Sequence, residues 1–175
     1  MVRHKKALFF DRDGTIIRSK ISNKNKPIAI KKIEECKIYP SVKRILNKFK
    51  KNYLIFLITN QPDVKRKKNS KINVIKINKY LKENLPIKKV YTCYCDSNKC
   101  IFRKPNIGML NKASKKYQLN LAESYVVGDR WKDIEAGRNA NCKTIFIDHK
   151  YSERLKSKPD YFVKSFFQID KIIKS

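Results

Sequence analysis

Four of the nine aspartates in this sequence lie in two short motifs, Asp11-Arg12-Asp13 and Asp129-Arg130-Trp131-Lys132-Asp133. Carboxylates from two such loops can converge on a hard cation such as Mg²⁺, which prefers oxygen ligands. Two further motifs contribute Thr59 with Asn60, and Lys104. A hydroxyl and an ammonium group can hold the oxygens of a phosphoryl group beside that cation. These residue types predict a metal-assisted phosphate site.

The Asp-x-Asp spacing also suggests how such a site reacts. An ionised aspartate beside a phosphate can attack phosphorus and form an aspartyl phosphate. A second carboxyl group two residues away can protonate the leaving oxygen and then deprotonate the attacking water. Taken alone, Asp-x-Asp is more often a turn, and Thr59-Asn60 could be a helix cap. The ordered occurrence of all the motifs, each after a predicted strand, favours chemistry.

Strands and helices alternate along the chain. Apolar runs predict strands at 7–10, 53–58, 90–94, 125–127 and 144–147, with a possible edge strand at 161–163. Helical periodicity covers 42–49, 72–81 with Ser70 as N-cap, 107–117, 131–140 and 166–173. This alternation predicts an α/β fold with a doubly wound, mostly parallel sheet. Ligands bind beyond the carboxyl ends of such strands, where the polar motifs fall.

The motifs resemble those of the haloacid dehalogenase superfamily of phosphatases. The resemblance runs from Ala7 to Asp148 and rests on five segments: 9–15, 59–63, Cys93-x-Cys95, 103–110 and 126–137. They are most similar to the branch that contains heptose 1,7-bisphosphate 7-phosphatase and histidinol-phosphate phosphatase. We therefore expect residues 1–175 to form a single phosphatase domain of that Rossmann-like fold, without a large cap domain.

The resemblance also implies a role for individual residues. Asp11 would be the nucleophile and Asp13 the general acid/base, and Thr59 and Lys104 would hold the phosphoryl group. Mg²⁺ would be held by Asp11, the backbone carbonyl of Asp13, and Asp129, with Asp133 in support. Substrate would be oriented by Asn60, Arg103 and, as a weaker candidate, Arg130.

Three of the five cysteines fall in one loop, at 93–102, where the branch carries a structural zinc. Cys93, Cys95 and Cys100 offer three thiolates, and thiolate is a good zinc ligand. Phe102 stands at the fourth position and cannot bind a metal. Water or Asp96 could complete the site, or the loop could pack without metal. Cys36 and Cys142 are expected to be ordinary buried thiols.

The phosphoryl-transfer residues match the family more completely than the substrate-contacting residues do. The segment after Gly14-Thr15 lacks the contact residues of heptose-type members, with Ile17 and Ser19 to Ser22 in their place. A small sugar bisphosphate, a heptose 1,7-bisphosphate for cell-surface polysaccharide, is the leading expectation. Histidinol phosphate and a polynucleotide 3′-phosphate are alternatives. A basic nucleic-acid-binding protein on a phosphatase scaffold is the non-enzymatic alternative.

Composition supports a folded protein and explains much of its charge. With 43 Lys and Arg against 15 Asp and Glu, the formal net charge is +28, yet 41% of the 175 residues are hydrophobic. The positive residues are spread along the chain, so compositional bias explains them better than a nucleic-acid site. We found no membrane-length apolar run or signal-peptide pattern. We expect a cytoplasmic monomer that acts on a small phosphorylated metabolite and not on a membrane.

Overall fold

A computed structural model describes residues 5–173, which fold around a six-stranded parallel sheet with the spatial order β5-β4-β1-β6-β7-β8. Its strands are β1 (Lys6–Phe10), β4 (Tyr53–Asn60), β5 (Lys89–Cys93), β6 (Tyr125–Gly128), β7 (Lys143–Ile147) and β8 (Tyr161–Val163). The strand order reverses beside β1, so a ligand crevice is expected at its carboxyl end. Of the predicted domain 1–175, residues 1–4 and 174–175 lie outside the described residues.

The helices lie close to their predicted positions: α1 (Val42–Phe49), α2 (Lys71–Asn84), α3 (Gly108–Tyr117), α4 (Trp131–Asn139) and α5 (Ile169–Ile172). The predicted N-cap of α2 is confirmed, because Ser70 Oγ accepts a 3.0 Å hydrogen bond from the backbone N–H of Asn73. The predicted closing helix is divided into a 3-10 turn at Phe166–Gln168 and α5. Within residues 5–173, none of the helices is long and apolar enough to cross a membrane.

Both faces of the sheet are covered, which explains the continuous apolar runs. Leu8 and Phe10 pack into the core on one face of β1, and Ala7 and Phe9 pack into the core on the other. All four side chains are fully buried. A strand alternates its side chains between faces, so a strand buried on both sides has no polar face. The rigid sheet therefore fixes where the polar loops begin.

A short hairpin that the sequence did not predict lies between β1 and α1. Its strands, β2 (Lys20–Ile21) and β3 (Pro27–Ile28), pair antiparallel. Its turn is held to the loop after β7: the Asn25 side-chain amide donates to the Lys150 carbonyl at 2.7 Å, and the Ser152 N–H donates to the Asn25 carbonyl at 2.9 Å. Pro27 lines the cleft described below, so the hairpin forms part of its wall.

Candidate active site

The carboxyl ends of the central parallel strands bring most of the predicted phosphate-site residues into the lining of one cleft, whereas Asp129 and Arg103 are buried outside that lining. Asp11 directly follows β1, Thr59 and Asn60 end β4, and Asp129 directly follows β6. Lys104 comes from the loop after β5, and Asp133 from the first turn of α4. The lining of the cleft includes Asp11, Asp13, Thr59, Asn60, Lys104, Arg130 and Asp133.

Lys104 is the cation at the centre of this site. Its ammonium group donates to Asp11 Oδ1 at 2.6 Å, to Asp133 Oδ1 at 2.6 Å and to the Ile58 carbonyl at 2.7 Å. The side chain is almost completely buried. Burial alone would lower the pKa of Lys104, but the charges of Asp11 and Asp133 raise it above its ordinary value. The lysine therefore stays protonated and partly compensates the surrounding carboxylates.

Three carboxylates face one another beside Lys104. Asp11, Asp129 and Asp133 each offer an oxygen, and these oxygens lie within 4.8 Å of one another. Asp129 Oδ2 is buried without a hydrogen-bond partner among the described residues, and Oδ1 has a long 3.4 Å contact from Thr15 Oγ1. Burial, then the charges of Asp11 and Asp133, raises the pKa of Asp129 well above 3.8. When all three carboxyl groups are ionised, they and the one ammonium group leave two negative charges, which a divalent cation would balance.

Gly14 allows the loop after β1 to approach Asp129. Its backbone adopts φ +84°, and a Cβ built there would lie 1.9 Å from Asp129 Oδ2. Both the positive φ and the close approach exclude a side chain at this position. The loop is further held by His149, whose Nε2 lies 2.7 Å from the Gly14 carbonyl oxygen. The backbone beside the carboxylate cluster is therefore tightly fixed.

Asp13 is held by a separate set of donors. Gln61 Nε2 donates to Asp13 Oδ2 at 2.9 Å, Arg12 Nε donates to the same oxygen at 3.0 Å, and the Ile30 N–H donates to Oδ1 at 3.3 Å. Gln61 Nε2 also donates to Thr59 Oγ1 at 2.8 Å, which leaves the threonine hydroxyl hydrogen for another acceptor. Gln61 thus connects two predicted site residues.

Asn60 and Arg103 lie at the site but make mainly internal contacts. The Asn60 side chain accepts from the Lys104 N–H at 3.1 Å and donates to the Lys104 carbonyl at 3.0 Å. Arg103 is buried, and its guanidinium donates to the Cys95 carbonyl at 2.6 Å and lies 3.6 Å from Asp96. In this structure Asn60 therefore fixes the backbone of Lys104, and Arg103 fixes the cysteine loop.

The predicted cysteine cluster is present. The sulfurs of Cys93, Cys95 and Cys100 lie within 4.8 Å of one another, and those of Cys93 and Cys100 are 3.8 Å apart. Asp96 is engaged elsewhere, because Arg66 donates to both of its carboxylate oxygens, at 2.7 and 2.5 Å. Phe102 is partly exposed beside the loop and has Lys112 over its ring. Cys36 is partly buried and Cys142 is buried, both as free thiols.

The rim of the cleft is basic. Arg130 binds Glu153 through two guanidinium nitrogens, one of them Nε at 2.9 Å. Lys132 also lines the cleft. Burial and the nearby charges of Arg103 and Arg130 lower the pKa of Lys132. Lys132 and Gln61 were not predicted as site residues, although both lie inside the recognised motifs.

Comparison with known proteins agrees with this geometry. A family model described as polynucleotide kinase 3 phosphatase matches residues 6–161. The chain belongs to this phosphatase family. The prediction of a haloacid dehalogenase-type phosphatase is thereby confirmed, and the enzyme class with it.

Individual relatives match most of this chain. D-glycero-alpha-D-manno-heptose-1,7-bisphosphate 7-phosphatase of Campylobacter jejuni is 33% identical over 149 residues, 81% of each chain. The histidine biosynthesis bifunctional protein HisB of Buchnera aphidicola is 33% identical over 83% of this chain and 42% of its own. The crystal structure of D,D-heptose 1,7-bisphosphate phosphatase from B. bronchiseptica, complexed with magnesium and phosphate, superposes with a TM-score of 0.78 at 19% identity, covering 95% of this chain and 97% of that one. That structure confirms the fold.

Proposed function

We propose that this protein is a Mg²⁺-dependent phosphatase that removes the 7-phosphate of a D-glycero-D-manno-heptose 1,7-bisphosphate. The observation that carries the proposal is the buried cluster of Asp11, Asp129 and Asp133 around Lys104, at the carboxyl end of β1. The heptose substrate is supported by the Campylobacter relative, which matches over 81% of both chains. The product would supply cell-surface polysaccharide, and the enzyme would act as a cytoplasmic monomer.

The carboxylate cluster fits a magnesium ion. Asp11 and Asp129 would hold it with the backbone carbonyl of Asp13, and Asp133 would support them. The unpartnered Asp129 Oδ2 and the two uncompensated negative charges both call for a cation with oxygen ligands. When bound, Mg²⁺ would neutralise developing negative charge on the phosphoryl oxygens.

Asp11 would perform the nucleophilic step. Lys104 donates a hydrogen bond to Asp11 Oδ1, whereas Asp11 Oδ2 receives no hydrogen bond from residues 5–173. A carboxylate oxygen of Asp11 would form a bond to phosphorus while the bond from phosphorus to the sugar oxygen breaks. Lys104 Nζ lies 2.6 Å from Asp11, so a phosphoryl group on Asp11 would lie next to the ammonium charge. Thr59, whose hydroxyl hydrogen is not used by Gln61, would donate to a phosphoryl oxygen.

Asp13 would move the protons. Protonated Asp13 would give its proton to the leaving sugar oxygen, and the resulting carboxylate would take a proton from water. That water would attack phosphorus, break the Asp11 oxygen–phosphorus bond and release inorganic phosphate. Gln61 and Arg12 hold Asp13 Oδ2 in place for this exchange. Asn60 would orient the substrate site through Lys104, and Arg103 and Arg130 would contact the substrate.

The cysteine loop would bind a structural zinc ion through Cys93, Cys95 and Cys100. Three sulfurs within 4.8 Å of one another suit thiolate coordination. Water is the better candidate for the fourth ligand, because Asp96 is already paired with Arg66 and Arg103. Zinc would stiffen the loop that carries Arg103. Zinc content measured by mass spectrometry on protein purified without chelator should be about one ion per chain and should fall to near zero in Cys93→Ser.

Histidinol phosphate is a second candidate substrate, favoured by the 33% identity to the Buchnera histidine-biosynthesis protein. The family description makes a polynucleotide 3′-phosphate the third. Phosphate release should be measured on these two compounds and both anomers of heptose 1,7-bisphosphate, with Mg²⁺, for the wild type and Asp11→Asn. We expect the highest kcat/KM on a heptose bisphosphate and loss of turnover in Asp11→Asn. Preferential turnover of either alternative would replace the heptose assignment and leave the phosphatase chemistry standing.

A further inference from the structure

Lys132 is one of three cations in the lining of the active-site cleft. It is partly buried in the first turn of α4, one residue before Asp133. Within residues 5–173 its ammonium group makes no hydrogen bond or ion pair and lies 5.4 Å from the ring of neighbouring Trp131. A partly buried ammonium normally finds a carboxylate, a carbonyl or water as acceptor. Lys132 therefore has donors available for a ligand in the cleft.

The other two cations that line the cleft are already engaged. Lys104 gives its three N–H groups to Asp11, Asp133 and the Ile58 carbonyl. Arg130 is bound to Glu153 through two of its nitrogens. A ligand that contacts Lys132 displaces no protein partner, whereas a ligand that contacts Arg130 competes with a carboxylate.

Charge around Lys132 favours an anion. Arg66, Arg103 and Arg130 lie near enough to repel its positive charge, and Glu153 and Asp96 partly offset them. Arg66 is also paired with Asp63 at 3.5 Å, so four cations and three carboxylates leave one positive charge unbalanced on this side of the cleft. The carboxylate cluster at Asp11, in contrast, requires a cation. A phosphate monoester carries about −1.5 to −2 charges at neutral pH, so the positive excess beside Lys132 attracts it.

We propose that Lys132 binds the second phosphate of a bisphosphate substrate while the first phosphate reacts at Asp11. The proposal deepens the function proposed above and rests on it. Both side chains line the same cleft, so a single substrate bound there would contact both. Lys132 would thus determine specificity for doubly phosphorylated sugars over singly phosphorylated ones and take no part in bond breaking.

The test measures binding without turnover, because Asp11→Asn removes the nucleophile and leaves the ligand intact. Calorimetry with Mg²⁺ gives the Kd of heptose 1,7-bisphosphate and of heptose 7-phosphate for Asp11→Asn. The measurement is repeated after adding Lys132→Gln, Lys132→Arg or the control Lys89→Gln. Lys89 is an exposed lysine at the amino end of β5, at the opposite edge of the sheet from the site.

We expect Lys132→Gln to weaken binding of the bisphosphate about tenfold and binding of the monophosphate less than twofold, because only the bisphosphate loses a charge-assisted hydrogen bond. Lys132→Arg should restore most of the difference, and Lys89→Gln should leave both Kd values unchanged. The role of Lys132 is overturned if the bisphosphate binds no more tightly than the monophosphate. It is also overturned if Lys132→Gln weakens the binding of both ligands equally. Failure of the wild type to release phosphate from any heptose bisphosphate would instead refute the proposed function, because the binding ratio does not depend on turnover.

Discussion

Replacing Lys104 with methionine tests whether the site is a set of buried charges in electrostatic balance. Methionine preserves most of the length and the apolar stem but removes the ammonium that meets Asp11 and Asp133 at 2.6 Å each. Removing one partner of a buried ion pair typically destabilises a protein by about 3–5 kcal/mol, because the remaining charges lose their compensation. For a chain of this size, that corresponds to a fall in Tm of about 6–20 °C.

The loss of stability in Lys104→Met should be larger at high pH than at low pH. Burial raises the pKa of Asp133, and Lys104 is the main influence that lowers it. Without Lys104 the folded-state pKa rises further above the unfolded value, so the variant is most stable at low pH and loses stability as pH rises. Urea unfolding in Mg²⁺-free buffer at pH 5 and pH 8 measures this. We expect the difference from wild type to be clearly smaller at pH 5.

The control for this experiment is Lys89→Met, which removes an exposed lysine far from the cleft. It should change the free energy of unfolding by less than about 0.5 kcal/mol at both pH values. Two results would contradict the charge balance inferred for the site. One is a loss of unfolding free energy in Lys104→Met that is the same at pH 5 and pH 8. The other is a loss no larger than that of Lys89→Met.

Three further predictions concern the same cluster and the loop beside it. Gly14→Ala should abolish phosphate release and lower Mg²⁺ affinity in calorimetry, because its Cβ would meet Asp129 Oδ2; a variant with normal activity would refute the close approach. In the wild type without metal, the raised pKa of Asp129 makes stability fall as pH rises from about 4, and saturating Mg²⁺ should flatten that slope in urea unfolding. Gln61→Leu should lower kcat by about 10² or more with a smaller change in KM, because Asp13 and Thr59 lose a shared donor; an unchanged kcat would make Gln61 structural only.

Much of the fold was predictable because its strands are buried on both faces. Continuous apolar runs predict β1 and β4 within two residues of their ends, and the Ser70 cap predicts where α2 begins. The β2–β3 hairpin was not predictable in the same way. Each of its strands has only two residues, which is too short to show an alternation of apolar and polar side chains. The tertiary hydrogen bonds of Asn25 help hold the hairpin in place.

The candidate site was predictable wherever a residue ends a strand or directly follows one. Asp11, Thr59 and Asp129 lie at one edge of the sheet because the parallel strands β1, β4 and β6 all end there. Partners were harder to foresee: pattern alone does not show that Asn60 binds the Lys104 backbone or that Arg103 binds the Cys95 carbonyl. Such contacts depend on side-chain directions that spacing along the chain does not specify.

In the proposed mechanism, Asp11 carries the phosphoryl group between a sugar bisphosphate and water. The most direct measurement mixes the Mg²⁺-loaded enzyme with heptose 1,7-bisphosphate, quenches the reaction in acid within milliseconds and maps phosphorylated peptides by mass spectrometry. We predict a phosphoryl group on the peptide that contains Asp11, formed and lost at rates compatible with turnover and absent from Asp11→Asn. Phosphate release by Asp11→Asn at the wild-type rate, with no phosphorylated peptide in either protein, would contradict it.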